Sequence, residues 1–242
     1  KTLFYHATPD SDEEQIPTAR INAYLKDAPD VFVYSRSKPL SDVPEMGIGS
    51  QPIDDGNYLF TDEQKIEFLQ SEPGADKWLG SQEFIRGKSR WCLWLGNANW
   101  DELKNLPKCR ERVEAVRRYR LKSKRSQTVK AAECPAHFGT EILSDTDSIL
   151  IPEVSSSRRR YIPMGFVDAE VFCSNKVRLI PNATLYQYGV LQSQFHNAWV
   201  RVVTGRLKDD YQYSAGIDYN NFVWPEPTES QREEVERCAQ AV

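Results

Sequence analysis

Between residues 149 and 180 four short runs of β-forming residues, Ile149-Leu150-Ile151, Tyr161-Ile162-Pro163-Met164, Val171-Phe172-Cys173 and Val177-Arg178-Leu179-Ile180, are each closed by Pro, Gly, Asp or Asn. Short strands punctuated by turn formers are expected to pair antiparallel. The strongest helix signal opens at Pro107, with acidic residues early and basic ones late, as a helix dipole favours. Val113, Val116 and Tyr119 form its narrow apolar stripe, and Arg110, Arg117, Arg118, Lys122, Lys124 and Arg125 take the remaining surface. A long amphipathic helix from about Leu185 to Leu207, carrying Leu191, Phe195, Trp199 and Val202, follows the strand region, and another helix starts after Pro227. The expected class is α+β: antiparallel sheet elements with a prominent basic helix and a C-terminal helical segment.

Ahead of the basic helix the signals are weaker. Residues 1–56 are rich in Pro, Asp, Ser and Gly, with a helix candidate near Ile16–Leu25 and a strand-like run, Val31-Phe32-Val33-Tyr34. Thr61-Asp62-Glu63 can cap a helix through about Ser71 before Pro73-Gly74 stops it, and a second short helix is expected around Trp78. Arg90-Trp91-Cys92-Leu93-Trp94-Leu95, ended by Gly96-Asn97, has the continuous apolarity of a core strand covered on both faces. The expected division is a connecting arm over 1–40, a main domain over 41–225 and the start of a helical segment over 226–242.

At 242 residues the chain can bury a genuine core without a disulfide or a metal. No apolar run approaches the roughly 18 residues of a membrane span. The five cysteines, Cys92, Cys109, Cys134, Cys173 and Cys238, are scattered singly, which suggests neither a disulfide framework nor a zinc ribbon and fits a reducing cytoplasm. The chain opens on Lys1 without the basic and apolar regions of a signal peptide, and reads as a cut inside a longer protein.

Net charge is −4, which alone argues against a nucleic-acid binder, but its distribution is uneven. Residues 1–60 carry ten acidic and five basic side chains, whereas residues 108–130 carry ten basic ones against Glu111 and Glu114 alone. No catalytic group is nominated: the chain has no GxGxxG after a strand, no GxxxxGK[ST], no HExxH and no GxSxG, and His6, His137 and His196 lie far apart. Asp54-Asp55 and Asp209-Asp210 sit beside turn residues, where solvated carboxylates are the ordinary reading.

Two basic segments remain. Arg117, Arg120, Lys122, Ser123, Lys124 and Arg125, with Lys130 beyond them, interleave cations with hydroxyls as phosphate binding requires, although a solvated helix face has the same composition. Ser155, Ser156, Ser157, Arg158, Arg159 and Arg160 lie between two strand candidates, and arginine is the side chain whose fork matches guanine in a major groove. An incidental surface loop fits this composition equally. Ser174, Asn175, Lys176 and Arg178, around the next turn, are the second candidates for reading bases.

A longer pattern carries a resemblance. Ile21-Asn22-Ala23-Tyr24-Leu25, Asp27-Ala28-Pro29-Asp30-Val31-Phe32-Val33, Lys38-Pro39-Leu40-Ser41-Asp42-Val43-Pro44-Glu45-Met46 and Arg90-Trp91-Cys92-Leu93-Trp94-Leu95 come first, followed by Arg112-Val113-Glu114-Ala115-Val116-Arg117, Arg160-Tyr161-Ile162-Pro163-Met164-Gly165, Ile180-Pro181-Asn182-Ala183-Thr184-Leu185-Tyr186, Gly205-Arg206-Leu207-Lys208 and Tyr219-Asn220-Asn221-Phe222. In that order, across most of residues 20–225, they resemble the carboxy-terminal half of MmeI-like, type IIL restriction-modification DNA methyltransferases; Val223 departs from the proline usual before Trp224-Pro225.

Such proteins join an adenine-N6 methyltransferase using S-adenosylmethionine to a target-recognition domain, often with an amino-terminal nuclease. Their Asn-Pro-Pro-Tyr loop and cofactor-binding glycines are absent here. The resemblance therefore implies a module that recognises double-stranded DNA, with neither cofactor nor metal of its own, whose partners are the duplex and the methyltransferase domain of the same polypeptide. Residues 1–40 would be the arm leading from that domain. A protein-interaction domain whose basic helix meets an acidic partner, such as the 1–60 arm, is the competing class, and a hydrolase with an unrecognised site a third.

Overall fold

In the computed structural model, which describes residues 1–6, 8, 10–22, 25, 27–72, 75–96 and 100–242 (backbone alone at 75–79, 100 and 102), the chain starts as a hairpin of β1 (Thr2–Tyr5) against β2 (Glu14–Pro17). The sequence predicts a helix over Ile16–Leu25. Ile16 and Pro17 are instead the end of β2, paired with Leu3 and Thr2, and the Thr18 N–H donates to Lys1 O at 2.9 Å. Ala23 and Tyr24 of that expected helix lie outside the described residues.

Val31–Tyr34 forms no strand either; Val31, Phe32 and Tyr34 are exposed. Residues 34–44 run along the segment 216–224. The Arg36 N–H donates to Gly216 O at 2.9 Å, the Leu40 N–H to Asn220 O at 2.9 Å and the Tyr219 hydroxyl to Pro44 O at 2.8 Å.

The first half of the molecule is a small sheet covered by a helix. After β3 (Gly47–Ile48) and β4 (Leu59–Phe60), α1 (Asp62–Leu69) starts in a capping box in which the Thr61 hydroxyl and the Gln64 side chain satisfy each other's backbone N–H. The Pro73-Gly74 stop lies outside the described residues, as does Asn97. Around Trp78 the backbone is strand β5 (Ala75–Leu79), not helix, because it pairs antiparallel with β6 (Trp91–Leu93); the helix comes just after, as α2 (Ser81–Arg86), ended by Gly87 at φ +61°. Strand β6 lies between β5 and β4, and Cys92 and Leu93 are fully buried.

Helices α3 (Trp100–Leu103) and α4 (Pro107–Leu121) follow, then α5 (Ser126–Lys130), continued by a 3₁₀ turn over Ala131–Glu133. The first turn of α4 contains no acidic residue of its own. Glu72 serves that end: its carboxylate accepts the Lys108 and Cys109 N–H groups, both at 2.6 Å. Cys109, Val113, Val116 and Arg120 are buried, whereas Tyr119 is exposed. The buried stripe of α4 is thus rotated from the expected one and ends on an arginine.

The second half is antiparallel as expected, with one parallel addition. Strand β7 (Ser148–Pro152) is buried throughout; β8 (Val154–Ser155), β9 (Gly165–Val167), β10 (Phe172–Cys173) and β11 (Val177–Pro181) follow. One sheet has the order β3-β11-β7-β9, all antiparallel, while β10 joins the first sheet parallel to β5. Tyr161–Met164, expected as a strand, is irregular: Pro163 has no N–H for a ladder, and Asn197 and Gln192 side chains take the N–H and carbonyl of Ile162 at 2.8 and 3.0 Å.

The expected helix 185–207 is two helices and a strand. Helix α6 (Leu185–Leu191) ends where Ser193 caps α7 (Gln194–Val203), its hydroxyl accepting the His196 N–H at 3.1 Å. Phe195, expected on the buried face, is exposed. Strands β12 (Gly205–Leu207) and β13 (Asp210–Gln212) form a hairpin whose second strand pairs with β8, making a three-stranded sheet. A π-helical turn, Ala215–Tyr219, precedes α8 (Glu229–Ala239). Helix α8 packs so closely on α6 that a Cβ at Gly189 would fall 2.7 Å from Val235 Cγ1.

One core surrounds β6 and α4, and a larger one fills the space between β7, β11, α6 and α7. Leu150, Val167, Cys173, Val177 and Leu179 form a third, against Phe84 of α2. Among the described residues no helix is long and apolar enough to cross a membrane.

Candidate nucleic-acid interface

Strand β8 ends at Ser155, and the chain turns at once: the Arg158 N–H reaches Ser156 Oγ at 3.3 Å and the Arg159 N–H reaches Ser156 O at 3.1 Å. This turn presents Arg158, Arg159 and Arg160 to solvent. Beside it the 174–176 turn is held by Asn175 N–H to Ser50 O at 2.8 Å and by the Ser81 hydroxyl on Lys176 O, which ties it to α2. Between the two turns and α2 lies a groove of about 700 Å³ lined by Ser156, Arg159, Asn175 and Lys176, together with Gln82, Arg86 and Arg90. Two segments separated in sequence thus share one concave surface.

Three candidates have other work. Ser155 and Ser174 are buried, the latter's hydroxyl accepting the Lys176 N–H at 3.0 Å, so they shape the turns and cannot reach outward. Arg178 lies on β11, largely covered, and its guanidinium donates to Glu153 at 3.1 Å. Glu153 also draws Lys176 Nζ to 3.6 Å, leaving that ammonium exposed over the groove. Among the described residues no carboxylate lies within 4.0 Å of the Arg158, Arg159 or Arg160 guanidinium.

The basic helix divides in the same way. Arg117, Lys124 and Lys130 rim a hollow of about 500 Å³ floored by Leu121, Val129 and Ala132. Lys122 and Arg125 are exposed beside it, and Ser123 Oγ accepts the Arg125 N–H at 3.1 Å, fixing the α4–α5 turn. Arg120 is not part of this surface. It is fully buried, and its guanidinium donates to the carbonyls of Ile53 (3.0 Å), Ala131 (2.8 Å), Cys134 (3.4 Å), Pro52 (2.8 Å) and His137 (2.7 Å). Burial pulls its pKa below the ordinary arginine value, and the nearby Tyr58 and Asp54 oppose that shift. A side chain so occupied cannot hold a phosphate.

The histidines do not converge. His196 is buried, bonded through Nδ1 to Leu191 O at 2.8 Å and through Nε2 to the Tyr213 hydroxyl at 3.1 Å, while His137 faces Glu141 and His6 faces Ser11 O. Among the described residues no group of three or more His, Cys, Asp or Glu side chains is placed to hold a metal ion.

A family model described as MmeI, target recognition domain, matches residues 27–226. The chain belongs to the MmeI target recognition domain family. It is 39% identical over 231 residues to DNA methyltransferase A of Bacillus subtilis (strain 168), a match covering 94% of this chain and 26% of that protein. The Type IIL restriction-modification enzyme MmeI, solved in complex with DNA, superposes with a TM-score of 0.94 at 41% identity over 100% of this chain and 33% of the other. The chain thus spans about a quarter of the first relative and a third of the second.

Within this MmeI-type recognition domain, sequence reading missed the α2 side of the groove. Gln82, Arg86 and Arg90 are exposed there, but isolated polar residues near a short helix carry no local signal. The pairing of β10 with β5, the Ser81 hydroxyl on Lys176 O and the packing of Phe84 bring α2 near the 174–176 turn, all contacts between segments far apart in sequence. The burial of Arg120 did have a signal, since Cys109, Val113, Val116 and Arg120 recur at helical spacing.

Proposed function

We propose that this chain is the target-reading part of a restriction-modification adenine-N6 DNA methyltransferase, holding duplex DNA in register for a catalytic domain outside the chain. The observation that carries the reading is the groove between the 155–160 and 174–176 turns, edged by the exposed Arg86 and Arg159, which have no carboxylate within 4.0 Å among the described residues, while Arg90 beside them is paired with Glu83 at 3.3 Å. Membership of the MmeI family and the likeness to a protein solved with DNA support it. Methylating an adenine requires the base to leave the stack, so another surface must grip the duplex meanwhile. Arg158 and Arg159, with Ser156, Ser157, Asn175 and Lys176, are assigned to base edges, where an arginine fork matches guanine O6 and N7. Arg117, Lys122, Lys124, Arg125 and Lys130 are assigned to phosphates, which set position without reading sequence.

The groove gathers cations, serines and amides beside the carboxylates of Glu83, Glu153 and Asp210, and no glycine-rich turn of the kind that would hold S-adenosylmethionine opens onto it. Cofactor and methyl transfer are therefore assigned to the domain beyond this chain. The five cysteines are scattered singly along the sequence, which fits work in the cytoplasm.

Binding of the 242-residue chain to duplex DNA at several salt concentrations tests the reading. Affinity should fall linearly on a log–log plot, with a slope of about −0.9 per phosphate neutralised. Absence of duplex binding, together with capture of acidic polypeptides, would favour an interaction domain instead.

A further inference from the structure

Three arginines outside the groove and outside the basic helix are held in a chain. Arg201, on α7, donates through Nη2 to the carbonyl of Arg160. Arg206, on β12, donates through Nη2 to the carbonyl of Arg201 at 3.1 Å and through Nη1 to Asp209 O at 3.2 Å. The Arg206 guanidinium also lies 4.1 Å from the ring centroid of Tyr211, and that of Arg160 lies 5.3 Å from the ring of Tyr161.

All three are exposed, yet among the described residues none has a carboxylate within 4.0 Å. Arg160 and Arg201 edge a hollow of about 310 Å³ whose other lining includes Gln194 and Asn197. Guanidinium groups fixed by carbonyls and rings, and left without counter-charge, are preorganised for an anion.

Register places this cluster relative to the groove. Arg206 is paired with Tyr211, and Tyr211 with Ser155, so the three residues form one row across β12, β13 and β8. Two strand spacings put Arg206 about 10 Å from the start of the reading turn. A major groove is about 12 Å wide. Side chains of the turn entering that groove would bring a phosphate strand at its wall over the cluster.

We propose that Arg160, Arg201 and Arg206 form a second phosphate-holding site, a clamp for the DNA backbone beside the reading turn and separate from the basic helix. The inference rests on the duplex-reading role proposed above.

The test compares the 242-residue chain with R201Q/R206Q and R201K/R206K variants, binding one duplex across a salt series. Glutamine keeps a donor for the carbonyls but removes both charges; lysine keeps the charges. The glutamine pair should make the salt slope shallower by about 1.8, equally on cognate and random duplexes, and the lysine pair should retain the wild-type slope. An unchanged slope in the glutamine pair, beside a salt-dependent wild type, overturns the clamp while leaving DNA reading intact. Equal loss in both pairs assigns the arginines to the fold and also overturns it. A wild type that does not bind duplex removes the reading on which the clamp rests.

Discussion

The Nη2 atom of Arg120 lies 2.7 Å from the carbonyl oxygen of His137, inside the domain and away from the basic face of α4. Through that group and its neighbours one side chain joins α4 to the 52–53 and 131–137 segments. Three residues earlier, Arg117 is exposed on the rim of a hollow. Two arginines on one helix therefore have opposite surroundings.

Arg120→Ala should leave several buried carbonyls without donors and destabilise the fold by about 3 kcal/mol or more, since each unsatisfied group costs about 1–3 kcal/mol. Arg117→Ala should change stability by less than about 0.5 kcal/mol. Urea unfolding of both variants measures the contrast. Equal, small losses would mean that the Arg120 contacts contribute little.

How far the sequence reveals this domain depends on the kind of signal. Turn formers around Ile149–Ile151 and Val177–Ile180 and the capping residue Thr61 act locally, and those elements form where expected. The strand at 75–79 does not, because its pairing partners lie at 91–93 and 172–173, beyond any local window. The site follows the same rule. Arg158 and Arg159 are exposed because a turn projects them, whereas Arg178 and Arg120 are taken up by Glu153 and by carbonyls that only the folded chain brings near.

A compensated pair of titrations is expected around Tyr213. Burial pulls the His196 imidazole from 6.5 down to about 4, against its hydrogen bond to Leu191 O, which favours the protonated form. Burial pushes the Asp218 carboxyl from 3.8 up to about 6, against hydrogen bonds from Ser214 and Thr204. As pH falls from about 6 towards 4, the unfolded chain gains a histidine proton that the folded chain refuses, which weakens the fold. Over the same window the folded chain takes an aspartate proton that the unfolded chain refuses, which strengthens it.

The two effects oppose each other in the wild type. Asp218→Asn should therefore lose stability relative to wild type by about 1.4 kcal/mol per pH unit on acidification through this window, and His196→Gln should gain it. Denaturant unfolding across the window checks both signs. A difference from wild type that is independent of pH would contradict the buried pair.

Glu72 neutralises the amino-terminal end of α4. Burial pushes its carboxyl up, but bonds from the Cys109 thiol and the Lys108 and Cys109 amides, with the Lys108 charge, outweigh that and hold its pKa below the usual 4.5. Glu72→Ala should cost about 1–2 kcal/mol at neutral pH, as loss of a helix cap does. Because the folded pKa is the lower one, this advantage is present above about pH 4.5 and fades as pH falls through the folded value. Thermal melts of wild type and variant should converge in acid; a gap that persists there would point to lost packing instead.

Lys124 and Lys130 rim the hollow beside Arg117. Replacing both with alanine should weaken duplex binding alike on all sequences and make the salt slope shallower by about 1.8. A loss confined to one sequence would move these lysines from phosphate to base contact.

The groove beside Arg159 is tested most directly by the methylation pattern of the whole protein that contains this chain. Losing one bidentate contact to guanine should cost about 1–3 kcal/mol at a single base pair and little elsewhere. Methylated positions read across genomic DNA from cells carrying the Arg159→Ala protein should show one position of the target motif relaxed and the others kept. An unchanged motif, methylated less completely at every site, would contradict base reading by this turn and make it a phosphate contact.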